Sequence, residues 1–563
     1  MHILQKYIKA LISACYLKGS FSRCRVRIFQ AGSGIALLFG IIGCSIFLTS
    51  HSSSNIISAS VMDRDRPNIV IIVADDLGWN DVGYHGSEIQ TPNIDHLAGT
   101  SVQLDRFYAK NSCTPYRAAL MTGVHPFRYG MSSNVIQPWD RVGLPIDRPT
   151  IAEVLKEYGY RTAIVGKWHL GHWNEAFLPT SRGFDYHYGN YCSDLDYFSH
   201  TNPKGGSLDW HRNRTPIEEE GYSTDLLAAE ASSLIETHDY NKTPLFLYVS
   251  FNAPHTPLQA KEGYIENYRS ISNVNRRTYG AMVQSLDEGV GTIVSALKKS
   301  TVWDNTLVVF TSDNGGGYNR GAAGDNRPLN NDKGSVYDGG VRVPTLFRFP
   351  NKTFSNEIDS HFYSVVDLFP TFLEAAGVDS GDFKLMEFDG QSILSSITNE
   401  AVFDRDEMIV QIDSREEASA LIRPPYKYIW HPKNSWFETE ELYNLVIDPG
   451  EVNNLIDSEV ELAQLMRDHL ASHRQDIAPS ILVPLSKIPS TWGIPNGFMA
   501  PKVINPTKLQ RLNTWPSWGN PFLWTEKVRW LSWKKLLVLG ISIGIFLGIS
   551  FSFAFRLIAN LRD

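Results

Sequence analysis

A cysteine that could act on an anionic group opens the segment Cys113-Thr114-Pro115-Tyr116-Arg117. Thr114 as an N-cap and Pro115 as the first helical residue predict a helix that begins just after Cys113. Such a helix end attracts anions, because its free backbone N–H groups and the positive end of its dipole point outward. Arg117 adds a planar guanidinium that matches a tetrahedral oxyanion. The segment predicts an anion site beside Cys113, although a lone cysteine here is also typical of a small buried side chain.

Two pairs of oxygen-bearing side chains could bind a metal ion. They are Asp75 with Asp76, and Asp313 with Asn314. Hard oxygen ligands without an accompanying set of Cys and His favour Ca²⁺ or Mg²⁺ over zinc. Each pair alone is also typical of a turn. Their shared position after apolar strand-like runs favours metal binding.

Four further side chains supply cations and proton carriers. They are Lys167, His169, His255 and Lys333. A sulfate or phosphate ester site needs such groups, because negative charge develops on oxygen as the ester bond breaks. Taken singly, each histidine is also typical of a structural side chain, and Lys333 of a solvated surface lysine.

Four short apolar runs rich in β-branched residues precede these polar clusters, at residues 69–74, 163–165, 245–254 and 307–310. Continuous apolar strands of this kind are buried on both faces. An amphipathic helical pattern, for example over residues 282–297, separates the strands and favours a mostly parallel α/β sheet. Ligand sites of such sheets lie beyond the carboxyl ends of the strands, where all four clusters fall.

The composition is that of a large globular protein. The chain has 563 residues, of which 43% are hydrophobic and 20% charged, so that it can bury a sizeable core. Its formal net charge of −8 gives no general attraction to polyanions. We therefore expect no nucleic-acid partner, and an anionic substrate requires a local basic pocket.

The two ends of the chain carry apolar segments. Basic residues precede an apolar run at residues 31–48, which predicts a signal peptide or an uncleaved signal anchor over residues 1–50. A run at residues 536–555 predicts a transmembrane helix over residues 534–556. A glycosylphosphatidylinositol signal is the alternative interpretation of that run. We expect a membrane-anchored protein of the secretory or lysosomal pathway with a lumenal or extracellular middle region.

Glycosylation sequons agree with that placement. They begin at Asn213, Asn241 and Asn351. Beyond the N-terminal segment the cysteines are Cys113 and Cys192. If Cys113 is modified, the lumenal region has no structural disulfide, and its stability must come from core burial.

Longer motifs surround the residues named above. They are Val73-Ala-Asp-Asp-Leu-Gly-Trp-Asn-Asp-Val-Gly-Tyr-His-Gly, Val165-Gly-Lys-Trp-His-Leu-Gly, Pro179-Thr-Ser-Arg-Gly-Phe-Asp, Thr311-Ser-Asp-Asn-Gly-Gly and Asp338-Gly-Gly-Val-Arg-Val-Pro. Over residues 67–457 the chain resembles the type I sulfatases, most closely the arylsulfatase B group. The C-x-P-x-R spacing resembles the modification signature of that family, whose fourth residue is usually serine and is Tyr116 here.

This resemblance implies a nucleophile and a cofactor. Cys113 would be oxidised to formylglycine by the formylglycine-generating enzyme, and the hydrated aldehyde would be the nucleophile. A calcium ion would be held by the modified Cys113 and by Asp75, Asp76, Asp313 and Asn314.

The resemblance also implies roles for the basic residues. Arg117 and Lys167 would hold the hydrate of the aldehyde, and His169 would assist its turnover. His255 and Lys333 would contact the sulfate ester, with His255 as the proton donor to the leaving oxygen.

The fold implied by the resemblance is an alkaline-phosphatase-like α/β sandwich around a mostly parallel sheet, with a smaller C-terminal antiparallel-sheet subdomain. The predicted divisions are an N-terminal signal segment (1–50), a stalk (51–66), a catalytic domain (67–400), the C-terminal subdomain (401–478), a Pro- and Trp-rich strap (479–533), a transmembrane helix (534–556) and a tail (557–563).

The predicted function is hydrolysis of sulfate esters of sugars, with N-acetylgalactosamine 4-sulfate units of glycosaminoglycans as the substrate that the resemblance suggests. A phosphoester or phosphonate hydrolase of the same superfamily is one alternative. A glycan-binding pseudosulfatase without turnover is another, motivated by Tyr116 and by the lack of disulfides.

Overall fold

The structure, a computed structural model, describes residues 66–204, 206–318, 323–352, 356–378, 386–398, 403–413, 418–432 and 438–481. Across these residues, no helix is long and apolar enough to cross a membrane. The apolar segments predicted over residues 1–50 and 534–556 lie outside the described residues, as do the stalk up to residue 65 and the strap from residue 482. Those segments stay predictions.

The strands follow one another along the described chain. They are β1 (Asn68–Ala74), β2 (Val102–Tyr108), β3 (Arg161–Gly166), β4 (Tyr186–Gly189), β5 (His211–Arg212), β6 (Thr215–Pro216), β7 (Leu245–Ser250), β8 (Thr306–Ser312), β9 (Leu346–Arg348), β10 (Glu357–Ser364), β11 (Met408–Gln411), β12 (Ser419–Arg423), β13 (Tyr426–His431) and β14 (Thr439–Asn444).

The α-helices lie between these strands and after the last of them. They are α1 (Pro92–Ala98), α2 (Cys113–Thr122), α3 (Ile151–Glu157), α4 (Ser223–Thr237), α5 (Glu262–Ile265), α6 (Val274–Lys299), α7 (Asp338–Val341), α8 (Leu368–Ala375), α9 (Leu394–Ile397) and α10 (Val460–Arg474).

The larger sheet has ten strands in the order β10-β2-β9-β8-β1-β7-β3-β4-β5-β6. The four apolar runs singled out in the sequence form its centre, β8, β1, β7 and β3, and every neighbouring pair among them is parallel. Strand β9 is antiparallel to both of its neighbours, and β5 and β6 extend the far edge in antiparallel fashion. The predicted mostly parallel sheet is confirmed.

Helices cover both faces of this sheet, because its central strands are apolar on both sides. Along β1, Ile69, Ile71 and Val73 pack against α2, α3 and α8, whereas Val70 and Ile72 pack toward α1, α4 and α6. All seven residues of β1 are buried. Side chains alternate along a strand, so a run without polar residues requires an apolar layer on each face.

The smaller sheet consists of β11, β12, β13 and β14, all paired in antiparallel fashion. One face packs against residues of the catalytic half such as Tyr108 and Val341, and the other against Met466 and Leu470 of α10. These elements lie within the subdomain predicted over residues 401–478 and confirm its antiparallel sheet.

A buried ion cluster joins the two sheets. The Nζ atom of Lys427, on β13, lies 2.9 Å from Asp338 Oδ1 and 2.8 Å from Glu451 Oε1, and all three side chains are shielded from solvent. Asp338 begins α7, and the Gly340 carbonyl of α7 accepts a hydrogen bond from Gly315 N. The small sheet thereby supports the loop that follows β8.

Candidate active site

The predicted site residues meet at the carboxyl edge of the large sheet. Asp75 follows β1, Lys167 follows β3 and Asp313 follows β8, while His255 lies just beyond β7. Because these four strands are parallel neighbours, their carboxyl ends lie side by side. The fold therefore brings together residues far apart in the sequence, as in the hydrogen bond from Asn314 Nδ2 to Asp76 Oδ1 at 2.7 Å, which spans 238 positions.

Cys113 is the first residue of α2, so the predicted helix start at Pro115 is wrong. Ser112, with extended backbone, precedes the helix. The Thr114 hydroxyl, expected to cap the helix, instead donates to the His169 carbonyl at 3.2 Å and accepts from Ile136 N at 3.1 Å. The Cys113 side chain is buried at the helix N-terminus, where backbone N–H groups favour negative charge.

The surroundings of the Cys113 sulfur are charged. Its Sγ lies 3.5 Å from Asp75 Oδ1 and 3.4 Å from Lys333 Nζ. Burial raises the pKa of the Cys113 thiol, and the nearby Asp313 carboxylate raises it further. The unmodified side chain is therefore held as a thiol, which is a much weaker nucleophile than a thiolate.

A close approach of two strands positions Lys167. Gly166 has φ +116°, and a Cβ built there would lie 1.9 Å from the Ser250 carbonyl oxygen of β7, so only glycine fits at this position. The next residue, Lys167, is fully buried, and its Nζ lies 2.5 Å from Asp75 Oδ2. Asp76 and His169 also have left-handed backbone, at φ +69° and +58°. Such conformations are uncommon outside glycine and cluster at functional sites.

Four side chains at this edge fit a hard cation. Asp75, Asp76 and Asp313 supply carboxylates, and Asn314 supplies an amide oxygen. Asn314 Oδ1 is buried without a hydrogen-bond partner among the described residues, as expected for an oxygen that faces a cation. Ligand atoms of Asp75, Asp76, Cys113 and His255 lie within 4.8 Å of one another. The oxygen-rich donor set favours calcium or magnesium.

Opposite charges balance in the site before a cation binds. Its carboxylates are those of Asp75, Asp76 and Asp313, and its permanent cations are Arg117, Lys167 and Lys333. Burial alone would raise the pKa of Asp75, but the positive charges of Lys167, His255 and Arg117 lower it well below its usual range. Burial and the Asp75 carboxylate raise the pKa of Asp313. A bound divalent cation would give the site a positive charge suited to an anionic ester.

Arg117 lies beneath the site. Its Nη2 atom lies 2.9 Å from Asp313 Oδ2 and 3.7 Å from Asp75 Oδ2. The other terminal nitrogen donates to the Ser250 hydroxyl, to the Tyr248 hydroxyl at 3.2 Å and to the Lys167 carbonyl at 3.1 Å. In this structure Arg117 therefore orients the carboxylates and the backbone of Lys167. Its contact with a modified Cys113 stays a prediction.

His169 is a buried neutral imidazole. Burial and the positive charges of Lys167 and Arg117 hold its pKa well below the usual range. Its Nε2 lies 2.8 Å from the Ile136 carbonyl oxygen, so Nε2 carries the hydrogen and donates it. The other nitrogen, Nδ1, is buried and has no hydrogen-bond partner within the described ranges. A free lone pair beside the site is what a proton acceptor needs.

His255 presents its Nε2 atom to the site. Its Nδ1 lies 2.6 Å from the Thr256 carbonyl oxygen and therefore donates there. Nε2 lies 3.7 Å from Asp76 Oδ2 and 3.8 Å from Asp194 Oδ1. Lys333 approaches from the opposite loop, with Nζ 2.5 Å from Asp76 Oδ1. All ten predicted catalytic and metal-binding residues thus converge on one site.

Two nearby residues were missed in the sequence. Ser250 ends β7 and binds Arg117, and the available signal was that it is a polar residue within an apolar run. Asp194 faces His255 from the segment after β4, which carries no periodic pattern, so no sequence signal indicated it. Tyr116 lies fully buried in the core layer between α2 and the sheet.

The three sequons differ in accessibility. Asn241 and Asn351 are exposed. Asn213 is partly buried, and its Oδ1 accepts a hydrogen bond from His187 N at 3.0 Å. Asn241 and Asn351 are therefore the more accessible glycosylation candidates. Cys113 and Cys192 are both free and buried, in agreement with a described region without disulfides.

Comparisons with known proteins agree with this geometry. The family model described as Sulfatase matches residues 67–378, and a model described as N-sulphoglucosamine sulphohydrolase, C-terminal, matches residues 330–476. Mouse arylsulfatase J is 36% identical over 63% of this chain, which spans 60% of that relative. Human N-acetylgalactosamine-6-sulfatase is 32% identical over 66% of this chain and 73% of its own length.

Solved structures show the same fold. The crystal structure of Ps i-CgsB has a TM-score of 0.68 and 32% identity, covering 81% of this chain and 99% of that one. A second crystal structure of Ps i-CgsB, in complex with k-i-k-neocarrahexaose, has the same TM-score and 34% identity over 74% of this chain and 94% of the other. The matched family model, the relatives and the converged site together show that this chain belongs to the type I sulfatase family of sulfuric ester hydrolases.

Proposed function

We propose that this protein removes sulfate from sulfated sugars, with Cys113 converted to formylglycine as its nucleophile. The observation that carries the proposal is the position of the Cys113 side chain, at a helix N-terminus and in contact with both Asp75 and Lys333. A group attached there lies between a metal-binding carboxylate and a cation. Each of the other residues expected of the family's reaction is present around it.

The modified residue and the metal ion would supply the reactive groups. Asp75, Asp76, Asp313 and Asn314 would hold a calcium ion that would supply positive charge for the sulfuryl oxygens, and formylglycine at position 113 would supply two hydroxyls, one for attack on sulfur and one for release of sulfate. A thiol provides no such release route. Tyr116, which stands where the family usually has serine, is fully buried in the core.

The side chains of this chain perform the remaining steps. Lys167 and Lys333 hold the negative oxygens of the ester from two sides. His169 accepts a proton at Nδ1, the nitrogen left free by its bond to Ile136. His255 donates a proton from Nε2 to the leaving oxygen, since its Nδ1 is already engaged with Thr256.

A sugar is the best-supported leaving group. Relatives of this chain are named N-acetylgalactosamine-6-sulfatase, and a structural relative was crystallised in complex with k-i-k-neocarrahexaose. These names support sulfated N-acetylgalactosamine as the substrate class and leave position 4 or position 6 to be decided by assay. The predicted likeness to the arylsulfatase B group suggests position 4.

We place the reaction in the lumen of the secretory pathway or outside the cell, where the formylglycine-generating enzyme would act during maturation. The exposed sequons at Asn241 and Asn351 support this placement. The apolar segments predicted over residues 1–50 and 534–556 would anchor the protein to the membrane.

The experiment combines peptide mass spectrometry across Cys113 with activity assays on protein from secretory-pathway cells. Formylglycine at Cys113 and sulfate release from 4-methylumbelliferyl sulfate are expected, and the 4- and 6-sulfates of N-acetylgalactosamine are then compared. The matching phosphate ester should react far more slowly. Glycan binding without turnover by modified protein would instead support the pseudosulfatase alternative.

Calcium removal is expected to lower both stability and activity. Dialysis against a chelator removes an ion that binds the folded state, and calcium at 100 times its Kd adds about 2.7 kcal/mol to the free energy of unfolding. Calorimetric unfolding with and without calcium measures the effect. Asp76→Asn should reduce the calcium-dependent shift, whereas Asp239→Asn, at an exposed surface pair, should leave it intact. An unfolding midpoint independent of divalent ions would contradict the metal site.

A further inference from the structure

One side of the site is open to solvent. The side chains of Asp75, Arg117 and Lys167 are completely buried, whereas those of His255, Asp194 and Lys333 remain 13%, 14% and 23% exposed. A sulfate ester enters with its charged group toward the buried cations. Its alcohol part must therefore face the rim formed by His255, Asp194 and Lys333, which we call the mouth.

Asp194 is fixed at the mouth beside the proton donor. Its Oδ1 lies 3.8 Å from His255 Nε2, and its Oδ2 lies 2.7 Å from Lys204 Nζ. Lys204 also donates to Gln137 Oε1 at 3.0 Å, and Asn202 Nδ2 donates to the Asp194 carbonyl at 3.1 Å. One carboxylate oxygen of Asp194 is therefore held by Lys204, while the other faces Nε2 of His255, the proposed proton donor to the leaving oxygen.

A carboxylate at the mouth of an anion site opposes substrate binding unless the substrate donates a hydrogen to it. Burial alone would raise the pKa of Asp194, but the positive charges of His255 and Lys204 outweigh it and lower that pKa. Asp194 therefore stays an acceptor without a hydrogen of its own. A sugar hydroxyl next to the ester is a donor of the right kind, and hydrogen bonds to charged acceptors are the strong ones.

We propose that Asp194 is a specificity-determining residue that accepts a hydrogen bond from the ring hydroxyl nearest the sulfate ester. This inference rests on the proposed sulfatase function and narrows its substrate class. Sugars with a free hydroxyl beside the ester are preferred. Sugars that carry a second sulfate at that position are repelled by the Asp194 carboxylate.

The experiment compares kcat/KM for three compounds in the full-length, formylglycine-containing protein. They are 4-methylumbelliferyl sulfate, the N-acetylgalactosamine sulfate that the wild type hydrolyses faster, and the analogue of that sugar without the hydroxyl nearest the ester. Asp194→Ala is expected to lower kcat/KM for the hydroxylated sugar by about 10- to 100-fold, the range for a bond to a charged partner. The kcat/KM for the two other compounds should fall much less, so that the variant no longer prefers the sugar with the hydroxyl.

Further variants separate this role from structural effects. Asp194→Asn keeps the shape of the side chain and one acceptor oxygen. Its kcat/KM for the hydroxylated sugar should therefore fall less than that of Asp194→Ala, and its unfolding midpoint should be unchanged. Asp225→Asn is the matched control, because Asp225 forms a similar aspartate–lysine ion pair at the surface, with Oδ1 3.0 Å from Lys261 Nζ. This variant should keep the wild-type preference for the hydroxylated sugar. An equal loss on all three substrates would mean that Asp194 only positions His255, and an unaltered preference would also overturn the proposal. A wild type inactive on every sulfate would instead refute the sulfatase function.

Discussion

Cys113→Ala is expected to lower sulfate release by more than about 1,000-fold, because it removes the precursor of the proposed nucleophile. The fold should persist, since the change removes one buried sulfur whose neighbours Asp75 and Lys333 keep their other ion-pair partners. Turnover of 4-methylumbelliferyl sulfate and the unfolding midpoint measure the two effects. Cys192→Ala is the matched control, because Cys192 is the second free, buried cysteine of the described region. It should retain turnover.

Cys113→Ser tests the release step. A serine hydroxyl can attack sulfur: its oxygen forms the new bond to sulfur, the ester oxygen leaves and takes up a proton, and the protein gains one SO₃ unit. Without a second hydroxyl on the same carbon, that group has no route of departure. We expect a single equivalent of released alcohol and a stable mass increase on the peptide that carries the substitution. Full turnover by the alanine variant would refute the role of Cys113.

His255→Ala is expected to affect poor leaving groups most. A general acid contributes about 100- to 10,000-fold when the leaving oxygen needs a proton. A sugar alkoxide needs that proton, whereas 4-nitrophenolate leaves without it. The sugar sulfate should therefore lose activity near the upper end of that range, and 4-nitrophenyl sulfate much less.

The leaving-group dependence distinguishes protonation from binding. His361→Asn serves as a control, since His361 is an exposed histidine that also pairs with a carboxylate, 2.6 Å from Asp359. It should resemble the wild type on both substrates. A loss of equal size on the sugar and the nitrophenyl ester would show that His255 holds the substrate without protonating it.

The centre of the fold could be predicted because its signals are local. Strands β1, β3, β7 and β8 are continuous apolar runs, and each ends at a polar residue that the parallel order then places beside the others. Strand β9 could not be placed in this way. Its three residues pair antiparallel with β2 and β8, and that pairing depends on contacts between distant parts of the chain.

In the site, too, residues marked by local sequence signals could be predicted, whereas features that depend on distant contacts could not. Seven of the ten predicted residues follow the central strands, Cys113 and Arg117 lie on α2, and Lys333 lies in the segment between β8 and α7; the structure brings all of them together. The start of α2 could not be predicted, because the Thr114 side chain binds His169 and Ile136, which are remote in sequence. Asp194 could not be predicted either, since its role depends on the position of His255, 61 residues later.

The buried Lys427 cluster couples the two regions of this chain. The boundary predicted near residue 400 separates two sheets, but Lys427 on one side neutralises Asp338 on the other. A shortened chain that ended at the boundary would lose Lys427 and keep Arg342, 3.5 Å away, as the remaining cation beside Asp338. We therefore expect the two regions of this chain to depend on each other for folding, so that a chimaera with another sulfatase should keep the lysine and its carboxylates together.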